Sequence, residues 1–92
     1  MIKIFYLTEK QHEVVELSQL YNKSISEIRT ITELSLSCII SRFSQVLHKI
    51  RAAGIPLKSI LDLRGMRFKI TRIESREIQY KYELIQSEGE TK

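Results

Sequence analysis

The sequence predicts an α+β domain: three helices followed by a C-terminal β-hairpin, with an N-terminal strand and an extra C-terminal strand. Three observations predict it. Apolar residues recur at the helical period between Ser24 and Ala53, most clearly at Ile39, Phe43, Val46, Leu47 and Ile50. Apolar and polar residues alternate at Phe68 and Ile70, and again at Ile78, Tyr80, Tyr82 and Leu84, which is the period of a strand. Helix-start signals, a Ser or Thr with Glu or Gln three residues later, stand where the first two helices should open. A chain of 92 residues has room for one modest core, placed here over residues 1–86, with residues 87–92 a frayed tail.

Met1 to Leu7, rich in β-branched and aromatic residues, reads as the first strand. Thr8 with Gln11 opens a helix from about Glu9 to Tyr21, its apolar face made by Val14, Leu17, Leu20 and Tyr21. Ser24 with Glu27 opens a second, Ile25 to about Thr32, with Ile25, Ile28 and Ile31 turned inward. Glu33-Leu34-Ser35 is the turn into a third helix of about Leu36 to Ala53, capped by Ser35 or Ser37 and stopped by Gly54 and then Pro56. Leu57 to Leu61 reads as a strand, Asp62 to Gly65 as a tight reversal, and Met66 to Ile73 as the returning strand. Ile78 to Leu84 is the extra strand.

Charge is unevenly placed. The net charge of +4 conceals a balance of −1 over residues 1–35, +7 over 36–72 and −2 over 73–92. A basic segment between two mildly acidic ones suits a polyanion footprint. The third helix sharpens this, because its polar face carries Ser37, Cys38, Ser41, Arg42, Ser44, Gln45, His48, Lys49 and Arg51 and no acid at all. A merely solvated helix face usually mixes both signs, and that remains the bland alternative.

Other classes find little support. No run approaches the ~20 apolar residues of a membrane span, and Met1 to Leu7 lacks the pattern of a signal peptide. The single cysteine forbids an internal disulfide and fits a reducing cytoplasm. Cys38 and His48 stand ten residues apart on one helix, ~15 Å by the helical rise, too far for a catalytic dyad. With Asp62 the only aspartate and no cluster at ligand spacing, neither a metal site nor an acid/base pair can be assembled. No enzyme activity, cofactor, metal or small-molecule ligand is expected.

The stretch Ile25-Ser-Glu-Ile28, then Leu34-Ser35-x-Ser37-x-Ile39, is similar to the helix-turn-helix core of many bacterial regulators. Ile50-Arg-Ala-Ala-Gly54-Ile-Pro56, then Arg64-Gly65-Met-Arg-Phe68-Lys-Ile70, resembles the helix exit and wing of biotin-repressor-like and response-regulator effector domains. Roughly Thr8 to Ile73 therefore resembles the winged helix-turn-helix family. Two positions depart from its pattern: Arg29 stands where a small residue is usual, and Glu33 where the turn usually has Gly. The resemblance puts Glu33 at positive φ, at a cost on the order of 1 kcal/mol, or gives the turn another shape.

That family implies a small cytoplasmic regulator of bacterial, plasmid or phage type that binds double-stranded DNA. The recognition helix, about 36–53, would lie in the major groove and the wing, about 57–73, on flanking backbone or minor groove. Ser35, Ser37 and Ser41 suit phosphates near the helix start. Arg42 suits guanine and Gln45 adenine, with Lys49 on the same face. Lys58, Arg64, Arg67, Lys69 and Arg72 would supply wing and backbone contacts. Tyr80, Tyr82 and Leu84, on one side of the last strand, either cover the domain's own core or pair two copies into a homodimer. The alternative from another class is a protein-interaction module whose basic face meets an acidic protein partner.

Overall fold

The computed structural model describes residues 3–59, 63 and 66–87, with Leu20, Gln86 and Ser87 described as backbone only. Among them, three helices and a three-stranded antiparallel sheet make a small α+β fold. Strand β1 (Ile4–Thr8) runs directly into α1 (Glu9–Val15), which continues as a π-helical turn, Glu16–Leu20. Then come α2 (Ile25–Thr32), α3 (Leu36–Ala52), β2 (Met66–Glu74) and β3 (Ile78–Ser87). The sheet order is β1-β3-β2, so the last strand is the central one.

The helix starts follow from the side chains the sequence singles out. Thr8 ends β1 and caps α1: its hydroxyl accepts from Gln11 N at 3.2 Å, and Gln11 Oε1 accepts from Thr8 N at 3.1 Å. Ser24 and Glu27 repeat this reciprocal pair at α2. At α3 the cap is Ser35, whose Oγ accepts from Cys38 N at 3.2 Å. Glu33 closes α2 in the left-handed region, φ 59° and ψ 25°, so the turn keeps the shape that normally uses glycine.

The core has two parts. Phe5, Leu7, Val15, Val46, Ile50 and Tyr82 gather between the sheet and the helices, joined from the loops by Ile55, Leu57 and Leu63. Val14, Ile28, Ile39 and Phe43 lock the three helices together. The α3 stripe thus serves both parts, Ile39 and Phe43 in one and Val46 and Ile50 in the other.

Several expectations are corrected. Of the inward trio on α2, Ile28 is buried while Ile25 and Ile31 are 42% and 51% exposed. Three residues turn a helix by about 300°, which sets Ile25 and Ile31 roughly 60° to either side of Ile28, and a short helix that grazes the core covers only the middle. Tyr21 is also exposed, because the helix widens into a π-turn before reaching it and shifts the face on which later residues fall: Tyr21 N donates to Glu16 O, five residues back.

The larger correction concerns the hairpin. Leu57 to Ser59 form no strand, because Arg51 Nε donates to Leu57 O at 2.7 Å and Arg51 Nη2 to Lys58 O at 3.1 Å. A side chain has taken the carbonyls that a ladder would use. Of the predicted reversal, Asp62, Arg64 and Gly65 lie outside the described residues, as do Ile60 and Leu61. The hairpin is β2 with β3, from Met66↔Ser87 to Glu74↔Ile78, and its turn is Ser75 to Glu77. The predicted extra strand is therefore the second arm of the hairpin, and Ser87 belongs to it rather than to a tail.

Candidate nucleic-acid interface

The outward face of α3 is built by capping and packing. Ser35 fixes where the helix starts, and the buried stripe fixes its rotation, leaving Ser37, Ser41, Ser44, Gln45 and His48 in solvent. Arg42, Cys38 and Lys49 are half-buried, Lys49 on the side that meets α1 through Gln11. Ser35 itself is exposed, with its oxygen occupied by its own helix and 3.3 Å from Ser37 Oγ.

Gln11 ties this face to α1. Its Nε2 donates to Gln45 Oε1 at 2.9 Å, and its Oε1 accepts from Lys49 Nζ at 2.8 Å. The two predicted contact residues are thereby held by the residue that closes the capping box of α1. Burial draws the Lys49 ammonium below its ordinary value. Gln11, Ser41, Ser44, Gln45, His48 and Lys49 line one open depression that contains no carboxylate. Ser41, Gln45 and Lys49 are brought together as the sequence predicts. Gln11, Ser44 and His48 are the members that sequence reasoning did not assign. Ser44 and His48 were readable from the helical period, whereas Gln11 lies 34 residues from Gln45 and carried only the signal of a cap.

The remaining predicted contacts stand apart from the depression. Arg67 and Lys69 are exposed on β2, at the base of the hairpin rather than at its tip. Arg67 adjoins the bulge that shifts the β2–β3 register, and lines the mouth of a largely apolar cleft of about 300 Å³ under the sheet. Lys69 stands opposite Glu83 of β3. Arg72 is ion-paired with Glu74. Lys58 is exposed in the loop held by Arg51. Arg64 lies outside the described residues.

Tyr80, Tyr82 and Leu84 serve the domain's own core. Tyr82 is 3% exposed and stacks on Phe5 at 4.9 Å between ring centroids. Tyr80 stacks on the buried His12 ring at 3.7 Å, and Leu84 packs against the sheet core. Strand β3 also has a neighbour on each side, β1 and β2. With no open edge, Tyr82 buried and Tyr80 and Leu84 packed inside the domain, these three side chains are not the surface on which the sequence placed a second copy.

A second polar cluster sits between α1 and the sheet. His12 Nδ1 and the Tyr82 hydroxyl share a hydrogen bond of 2.5 Å, and His12 Nε2 is 3.8 Å from Glu16 Oε2. Burial lowers the His12 pKa, with Glu16 opposing, and burial raises that of Tyr82. Both rings are therefore held neutral near pH 7. Among the described residues no three or more His, Cys, Asp or Glu converge on a possible metal position, and no helix is long and apolar enough to cross a membrane. No family model, curated protein or solved structure matches the chain.

Proposed function

We propose that the chain is a winged helix-turn-helix protein that binds double-stranded DNA, acting in the cytoplasm as a transcriptional regulator by occlusion or recruitment at a promoter. Helix α3 lies in the major groove and the β2–β3 hairpin is the wing. The observation that carries the reading is the outward face of α3. It offers Ser41, Ser44, Gln45 and His48 to solvent, with half-buried Lys49 beside them, in one open depression without a carboxylate. A groove lined by phosphates repels carboxylates and rewards N–H and O–H donors. The layout agrees with the reading: α2, a turn through a left-handed Glu33, α3, then a hairpin.

The test is a fluorescence-anisotropy titration of the full chain with the DNA upstream of its own gene and with a scrambled duplex, at two salt concentrations. Tighter binding to the upstream DNA that survives higher salt is the expected result, with the salt slope counting the phosphates contacted. Binding to neither duplex would overturn the reading and leave the acid-free face to an acidic protein surface.

A further inference from the structure

Resting on the placement of α3 in the major groove, we infer that Gln45 is a specificity-determining residue that selects guanine over adenine, and that Gln11 positions it to do so. A free glutamine suits adenine, because its oxygen accepts from N6 while its nitrogen donates to N7. Gln45 is not free.

The assignment of its two amide atoms follows from donors that cannot be anything else. The backbone N–H of Thr8 can only donate, and it donates to Gln11 Oε1 at 3.1 Å. The Lys49 ammonium can only donate, and it donates to the same oxygen at 2.8 Å. The other amide atom of Gln11 is therefore its NH2 group. That group lies 2.9 Å from Gln45, which must meet it with its oxygen. With Oε1 turned to α1, Gln45 presents its NH2 outward.

An outward NH2 needs acceptors. Guanine offers two in the major groove, N7 and O6, whereas adenine pairs N7 with an N6 donor and cytosine offers a donor at N4. The surroundings add no carboxylate that would accept from such donors: α3 contains neither Asp nor Glu. The Lys49 protons not used by Gln11 also favour an acceptor-rich edge.

The experiment starts from sites selected by the full chain out of a randomised duplex library. Binding of the wild type is then compared for guanine, 7-deazaguanine and adenine at each selected guanine, with a scrambled duplex alongside. At one position, adenine or 7-deazaguanine should weaken the wild type by about tenfold. Gln45→Ala should lose that discrimination, read as the ratio between guanine and adenine at that position. The decisive variant is Gln11→Glu, which retains the capping box of α1 and the partner of Lys49 but removes the donor to Gln45. Its carboxylate should draw the Gln45 NH2 inward and turn the oxygen out, shifting preference from guanine toward adenine or cytosine. Since an added acid weakens every duplex, the readout is the ratio between bases. An unchanged ratio in Gln11→Glu, or no guanine preference at all, overturns this inference while leaving DNA binding intact. Binding to no duplex overturns both.

Discussion

His12 and Tyr82 share a hydrogen bond in the interior, Nδ1 to hydroxyl at 2.5 Å, and so join α1 to the central strand. Neither ring is merely apolar filling. His12 is stacked on Tyr80 and Tyr82 on Phe5, so the polar pair is clamped between aromatic faces. Tyr82→Phe keeps the ring and strands the imidazole nitrogen. The expected cost is about 1–3 kcal/mol, read as a lower midpoint in a urea titration. Tyr82→Ala should cost about 3–5 kcal/mol. That loss should be the same at every protein concentration, since the side chain is buried within one copy, whereas a loss that grows on dilution would restore the dimer role.

The same histidine gives the fold a pH dependence. Burial lowers its folded-state pKa below the ordinary 6.5. The unfolded chain therefore binds the proton first on acidification, and the His12 contribution to stability, complete above about 6.5, is lost as pH falls through the folded-state value. Glu27 acts in a lower window: the Ser24 backbone amide holds its pKa below 4.5, and its share is lost as pH falls through that depressed value. Thermal unfolding followed from pH 7.5 to 5 should show a falling midpoint, and His12→Gln should flatten that part of the curve. A slope unchanged by the substitution would mean that other groups carry it.

Glu33 tests the turn between α2 and α3. Its φ of 59° is one that L side chains adopt at a cost and glycine adopts freely. Glu33→Gly removes that strain and adds chain entropy to the unfolded state, so the net gain should be about 0.5–1 kcal/mol, or a few degrees in the melting midpoint. Glu33→Val, branched at Cβ, should move it the opposite way. Stabilisation by valine would show that the backbone does not hold this conformation in solution.

The elements that were legible in the sequence are those whose cause is local. Thr8 with Gln11 and Ser24 with Glu27 are capping boxes because the partners sit three residues apart, and the α3 stripe is a spacing pattern. The helix-turn-helix likeness offered a left-handed Glu33 as one of two shapes for the turn, and the backbone takes that one. The hairpin turn was placed at Gly65 because glycine carries the stronger turn signal, while Ser75-Arg76-Glu77, which makes the reversal, has only the weaker signal of Ser75. Nothing near Leu57 announces that Arg51 will bond its carbonyl. Nor does anything near Gln45 announce Gln11: the helix period gave the outward face, but the hydrogen bond that orients its amide crosses 34 residues.

Moving the hairpin also changes where the wing should touch DNA. Its tip is Ser75 to Glu77, and there Arg76 is offset by Glu74 and Glu77, with Arg72 already paired to Glu74. Arg67 stands seven residues before Glu74, roughly 23 Å along the strand, at the base of the hairpin. An electrically balanced tip gains little from phosphates, while an exposed arginine at the base gains about one released counterion. Arg67→Ala should weaken specific and scrambled duplexes alike and lower the salt slope by about one. Lys69→Ala should do less, because Glu83 opposite already offsets part of its charge. Arg76→Ala should change affinity by less than about twofold. Titrations of the three variants across a salt series decide it: a large, salt-dependent loss confined to Arg76→Ala would place the tip, and not the base, against the backbone.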